Sequence, residues 1–200
     1  MIRNIIFDFG DVFINLDKVV VFREMQKLNV LHLLPQLDEL NKAFEVGAIS
    51  PESFLDQLQD YLPQLTKDQI AAVWNGMLLD LPEYRLEFLE DLAREAKYRL
   101  FLLSNTNALH IPHFRKQMGE LRFNRFRNSF EQFYLSHEIK LRKPSAEIYE
   151  FVLNENGLPA SETLFIDDTE ENTNAARKLG IHTWNLKVGQ EDIIQLKTKI

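Results

Sequence analysis

The chain has 200 residues, 45% of them hydrophobic, and a formal net charge of −7 at pH 7. That length fits one domain, or one domain with a modest insertion, and the apolar fraction fills a real core, which argues against disorder. The complete lack of cysteine excludes a disulfide framework, thiolate metal sites and a cysteine nucleophile, leaving oxygen ligands or the 5 histidines for any metal.

In chain order, Ile5-Ile6-Phe7 reach Asp8 too soon to form the apolar region of a signal peptide, and no later stretch approaches the ~20 apolar residues of a membrane span. A cytoplasmic protein without a membrane partner is expected. Residues 4–9, NIIFDF, read as a buried strand that delivers Asp8 to a sheet edge. From 15 to 92 no strand pattern is convincing; helical spacings at 19–28, 51–61 and 67–78 alternate with Pro35, Gly47, Pro51, Pro63 and Pro82, as in a helical insertion. A second strand follows at 98–104, YRLFLLS.

Residues 113–130 interleave Arg115, Lys116, Arg122, Arg125 and Arg127 with aromatics, a pattern that single-stranded nucleic-acid binders also show. The acidic balance of the chain weighs against nucleic acid, and the preferred reading is a solvated helix-loop-helix beside the active site. Beyond it lie QFYLS at 132–136, a helix at 145–155 behind Ser145, TLFID at 163–167, a helix at 170–179 closed by Gly180, and IHTWNL at 181–186. Strands alternating with helices predict an α/β fold, a three-layer Rossmann-like parallel sheet with ligands at the carboxyl ends of its strands. The core spans 1–14 and 93–200, and an inserted α-helical cap spans 15–92.

Four elements stand in order along this frame: FDFGDV at 7–12, LLSNTN at 102–107, RKP at 142–144 and FIDDTEEN at 165–172. The ordered set resembles the haloacid dehalogenase-like superfamily over nearly the whole chain. It is especially similar to the branch containing bacterial α-glucose-1-phosphate phosphatases, where a glycine likewise stands two places after the nucleophile. The resemblance implies that Asp8 attacks phosphorus to give an aspartyl-phosphate, later hydrolysed by water. It implies that Ser104 and the backbone N–H of Asn105 bind phosphoryl oxygens, and that Lys143 points its ammonium between nucleophile and phosphate. It makes one of Asp167 and Asp168 a direct ligand of Mg²⁺ and the other the holder of a coordinated water, supported by Asn172. Within EVGAIS at 45–50, which resembles a cap segment common in the superfamily, Gly47 permits a turn that brings Glu45 to the substrate.

The chemistry of these residue types agrees. A carboxylate nucleophile splits one difficult displacement into two easier ones. Adjacent carboxylates at a strand end repel and call for a cation. Asp8, Asp167 or Asp168, a backbone carbonyl near Gly10 and phosphate form a hard oxygen set suited to Mg²⁺. With Mg²⁺ and Lys143 opposite three carboxylates the site is neutral, so it admits a phosphate dianion. The expected substrate is a small phosphorylated metabolite, a sugar phosphate foremost.

Gly10 departs from the superfamily pattern. Most phosphatases of the superfamily carry an aspartate there as general acid and base, a contribution worth ~10²–10⁴-fold. Asp11 faces the other way in extended backbone, so a good leaving group, such as an anomeric phosphate, is the simpler remedy. Glycine at this position also suits a positive φ. Arg142, beside the motif lysine, is expected in solvent. Two rivals remain: a 2-haloacid dehalogenase-type hydrolase using Asp8 on carbon, which needs no metal and therefore not both acids, and a non-catalytic binding protein of the same fold.

Overall fold

Five parallel strands form one sheet in the computed structural model, which describes all 200 residues. They are β1 (Asn4–Phe7), β2 (Arg99–Ser104), β3 (Gln132–Leu135), β4 (Thr163–Asp167) and β5 (His182–Asn185), in the spatial order β3-β2-β1-β4-β5. From β1 the chain steps outward to β2 and β3, then crosses to the other side of β1 for β4 and β5. The switch between β1 and β4 is where doubly wound sheets bind ligands. All five expected strands are present; β4 has the expected ends, and the ends of the others shift by at most two residues. β1 stops at Phe7, which places Asp8 just off the strand; its N–H still donates to Ile166 O at 2.8 Å and extends the ladder by one rung.

Ten α-helices and three short 3-10 helices complete the chain, the α-helices being α1 (Val20–Lys27), α2 (Leu34–Glu45), α3 (Pro51–Tyr61), α4 (Lys67–Asn75), α5 (Glu83–Glu95), α6 (His110–Met118), α7 (Glu120–Asn128), α8 (Ser136–Ile139), α9 (Ala146–Asn156) and α10 (Glu170–Lys178). Local chemistry sets their starts. Ser50 accepts from the N–H of Ser53 ahead of Pro51, and Thr66 with Gln69 forms a reciprocal capping box. α10 opens on Glu170 and Glu171 and closes on Arg177 and Lys178, each pair suited to its end of the helix dipole.

Alternate strand residues face opposite layers. Ile5, Phe7, Leu102 and Ile166 join Leu86, Leu89 and Leu92 of α5 with Phe114, Phe123 and Phe126 of α6 and α7. Ile6, Phe101, Leu103 and Phe165 face Ile148, Tyr149 and Val152 of α9 and Ala176 of α10. A separate cluster, with Met25, Leu37, Phe44, Phe54, Leu58, Ile70 and Trp74, lies inside α1–α4; Phe44 and Phe54 stack at 4.2 Å between centroids.

The short α8 and two longer helices go beyond the sequence expectation. Pro35 and Pro82 read as interruptions, but Pro35 sits in the first turn of α2 and Pro82 is the cap residue of α5, places where a missing N–H is harmless. The 113–130 segment is helical as expected, yet its aromatics are core residues. Three of its basic groups are ion-paired: Arg115 with Glu120, Arg122 with Glu83, and Arg125 with Glu83 and Glu90 of α5. The interleaving of arginine with phenylalanine is therefore the two faces of a helix pair.

His110, at the start of α6, is buried beside Trp74, its ring nitrogens 3.2 Å from Asn107 Nδ2 and from Trp74 O. Burial pushes its pKa down from 6.5 to about 4. Because the folded value lies below the unfolded one, the stability it supports is complete above pH 6.5 and is lost as pH falls towards 4. At about 1.4 kcal/mol per pKa unit this amounts to a few kcal/mol. Urea midpoints measured from pH 7.5 down to pH 4.5 are expected to fall, and His110→Gln is expected to flatten that part of the slope.

Candidate active site

The carboxyl ends of β1, β2 and β4 meet around one buried ammonium. Asp8 follows β1, Ser104 ends β2, and Asp167 ends β4 with Asp168 next. Lys143 comes from the segment between α8 and α9, and its side chain is 1% exposed. Its Nζ donates to Asp8 Oδ1 at 2.6 Å, Asp167 Oδ2 at 2.7 Å and Leu103 O at 2.9 Å, which uses all three protons. Carboxylate oxygens of Asp8, Asp167 and Asp168 lie within 4.8 Å of one another.

Asp167 is held from behind. Asn172 of α10 donates Nδ2 to both carboxylate oxygens at 3.1 and 3.0 Å, and the N–H of Thr169 donates to Oδ1 at 2.8 Å. Burial pushes Asp8 up to about 7; Lys143 pulls against that shift, and Asp167 and Asp168 add to it. Burial alone would lower Lys143, but Asp167 and Asp8 hold it above its ordinary value. The rise of Asp8 is chiefly the cost of burying its charge, whereas the rise of Lys143 against burial reports the carboxylates around it.

A sequence profile of the haloacid dehalogenase-like hydrolases matches residues 2–180. The chain belongs to this family. It is 29% identical to a D-ribitol-5-phosphate phosphatase of Bacteroides thetaiotaomicron over 96% of the chain and 95% of that protein. A HAD family enzyme of the same bacterium, crystallised with magnesium and inorganic phosphate, superposes with a TM-score of 0.84 at 37% identity, covering 96% of this chain and 97% of that one. A predicted HAD-like hydrolase of Porphyromonas gingivalis superposes with a TM-score of 0.82 at 32% identity, covering 100% and 97%. These findings show the family; they do not place the chain in the α-glucose-1-phosphate phosphatase branch.

The remaining residues of this HAD-like hydrolase fall into place around that centre. Ser104 is buried, and its hydroxyl has only a long 3.4 Å contact to Asn105 O. The side chain of Asn105 does something the motif did not suggest: it accepts from the N–H of Lys143 and donates to Lys143 O, both at 2.9 Å, and so fixes the backbone that carries the lysine. Asn185 of β5 donates to the carbonyls of Asp167 and Asp168 at 3.2 and 2.8 Å. Nothing in its local sequence marks it; β5 places it beside β4.

Gly10 does not adopt a positive φ. Its neighbour Asp11 does, with φ 55, and an added Cβ at Gly10 meets Leu16 Cδ1 at 2.6 Å. The backbone strain expected at residue 10 therefore sits at 11, and what crowds position 10 is the end of a flexible side chain. Asp11 is fully engaged: Oδ1 accepts from the N–H of Leu16 at 3.1 Å, and Oδ2 pairs with Lys18 at 2.8 Å.

Arg142 is not in solvent as expected. It pairs with Glu45 at 2.9 Å, while Asn41 donates to the other Glu45 oxygen at 3.1 Å. Two residues on, Gly47 O accepts from Lys140 Nζ at 2.9 Å. The 45–47 turn is thus seated on the segment that carries Lys143. Gly47 has φ 60, and a Cβ there meets the carbonyl oxygen of His137 at 2.4 Å, a backbone atom that cannot swing aside. Gly47→Ala is expected to lift the turn from the core, with a left-handed penalty of about 1–2 kcal/mol added to the clash. The measurable result is a KM raised about tenfold or more, with the melting temperature lowered by a few degrees.

Proposed function

We propose that this hydrolase is a Mg²⁺-dependent phosphatase acting on a small sugar or polyol phosphate, with Asp8 as nucleophile. The observation that carries the reading is the surplus of negative charge at the sheet's switch point, where three carboxylates cluster and a single buried lysine bridges two of them, Asp8 and Asp167. Asp8, Asp168 and the carbonyl of Gly10 would hold the cation, and Asp167, tied to Lys143 and Asn172, would hold it through water. Such an oxygen-only set suits Mg²⁺, which when bound neutralises charge on the phosphoryl oxygens. The relatives support the same reading through the phosphatase name and the magnesium and phosphate of the superposed enzyme.

The chain's own groups perform the rest. Lys143 fixes the Asp8 carboxylate and orients its free oxygen. That oxygen attacks phosphorus, the bond from phosphorus to the substrate's ester oxygen breaks, and the departing alkoxide takes a proton from solvent. Ser104 Oγ and the N–H of Asn105 bind the phosphoryl oxygens. Water then attacks phosphorus and releases phosphate from Asp8. Glu45 and the 45–47 turn reach from the 15–92 insertion, which we read as the cap, to the segment that carries Lys143. The cap's α1–α4 cluster is separate, whereas α5 packs with the sheet.

Phosphate release from a panel of hexose-1-phosphates, hexose-6-phosphates, pentitol phosphates, nucleotides and pyrophosphate, with and without Mg²⁺, tests the proposal. Metal-dependent release from a sugar or polyol phosphate is expected. No release from any member, with halide liberated from a haloacid, would replace it by the dehalogenase reading.

The panel also bears on Gly10. Without an acid at that position, rates are expected to depend steeply on leaving-group pKa, favouring an anomeric phosphate over the 6-phosphate of the same sugar. The polyol phosphate of the named relative is a primary ester, so a high rate on it would locate a proton donor elsewhere. Gly10→Asp requires Leu16 to move aside. It is expected to flatten the dependence by helping poor leaving groups, within the ~10²–10⁴-fold range of general acid catalysis.

A further inference from the structure

Lys18 lies in the linker between the Asp8 loop and α1, and no motif marks it. Its Nζ stands 2.8 Å from Asp11 Oδ2 and 2.5 Å from Asp168 Oδ2, and its side chain is 51% exposed while the two carboxylates are 10% and 9% exposed. The ammonium therefore closes the outer side of the carboxylate cluster, opposite buried Lys143. Counting both lysines against Asp8, Asp11, Asp167 and Asp168, the site has two negative charges in excess, the charge of one divalent cation.

We propose that Lys18 is a built-in competitor for Asp168 that sets the metal affinity of the site and, once the cation has taken Asp168, serves as a binding group for the phosphoryl anion. The inference rests on the phosphatase reading and adds to it a residue that neither the motifs nor the metal set include. One carboxylate oxygen cannot hold an ammonium and a divalent cation at the same short distance, because the two positive charges repel. The contest is therefore for Oδ2 of Asp168, the oxygen that Lys18 holds. Asp11 keeps the displaced lysine nearby: its Oδ1 is anchored by the N–H of Leu16, and its Oδ2 remains on Lys18. The lysine then has protons free, beside a site whose charge the cation has just balanced, and a phosphate dianion adds the charge that the ammonium answers.

Two opposite effects follow from one substitution. Removing a positive charge from direct contact with Asp168 is expected to tighten Mg²⁺ about tenfold or more in Lys18→Met, since a like charge at contact distance disfavours a cation. The same variant, loaded with Mg²⁺, is expected to bind inorganic phosphate several-fold more weakly. Lys18→Arg is expected to keep the competition. Asp11→Asn, which releases Lys18 wholly to Asp168, is expected to weaken Mg²⁺. Arg23→Met is the control for net charge, because Arg23 pairs with Asp17 outside the cluster.

Calorimetric titration of the full chain with Mg²⁺ alone, then of the loaded protein with inorganic phosphate, measures all of these. Tighter Mg²⁺ and weaker phosphate in Lys18→Met, with Arg23→Met unchanged, supports the proposal. Unchanged or weaker Mg²⁺ in Lys18→Met, or equal tightening in Arg23→Met, overturns it while leaving the phosphatase reading intact. Wild-type protein that takes up no Mg²⁺ overturns the reading itself.

Discussion

Asp8→Asn is expected to lose turnover by on the order of 10⁴-fold or more while keeping its fold, because an amide oxygen attacks phosphorus poorly and no second carboxylate is free to replace it. Asp167 is tied to Lys143, Thr169 and Asn172, and Asp168 is tied to Lys18. The substitution leaves no orphaned cation, since Lys143 retains Asp167 at 2.7 Å and Leu103 O at 2.9 Å. It also removes a buried negative charge whose desolvation, with the nearby Asp167 and Asp168 adding to it, pushes Asp8 up to about 7. The melting temperature without metal is therefore expected to hold or rise. Steady-state assays with thermal unfolding on the same sample check both parts, and substantial turnover in the variant would move the nucleophile elsewhere.

Lys143→Met is expected to damage stability and activity together. The lysine is one of the largest fully buried side chains, and its Nζ lies 5.4 Å from the centroid of Phe165. Removing it leaves Asp8 and Asp167 buried within 4.8 Å of each other with no counter-ion between them. Breaking a buried pair from one side typically costs about 3–5 kcal/mol. Loss of the charge that orients Asp8 and meets the phosphoryl group is expected to lower kcat by about 10³-fold. Urea unfolding with and without Mg²⁺ separates the two effects: the cation is expected to restore part of the stability and little of the activity. Lys143→Arg is not expected to rescue, because a planar guanidinium does not fit a socket built for three bonds from one nitrogen.

Much of this site was legible because its parts sit where strands end. Apolar runs closed by Asp8, Ser104 and Asp167 mark strand ends without any structure, and a parallel sheet brings such ends together at one edge. Lys143 was legible through its motif. Lys18 and Asn185 were not, since each acts through a neighbour more than 15 residues away in the chain: Lys18 on Asp168, Asn185 on the carbonyls of Asp167 and Asp168. Arg142 was misread because solvent is the ordinary fate of arginine, and only the seating of Glu45 gives it a partner. The helix α5 escaped notice because Pro82 reads as a break until it is seen to be a cap. Gly10 shows the limit of residue type: glycine suggested a positive φ, and the chain placed that φ on Asp11.

The double displacement at Asp8 is tested most directly by the stereochemistry at phosphorus. A substrate carrying an isotopically chiral thiophosphoryl group, hydrolysed in isotopically distinct water, yields inorganic thiophosphate whose configuration records the number of displacements. Each in-line displacement inverts phosphorus. Attack by Asp8 followed by attack of water on the aspartyl-phosphate inverts it twice, so the account predicts overall retention. Inversion would mean that water attacks the substrate directly, and would contradict the assignment of Asp8 as nucleophile.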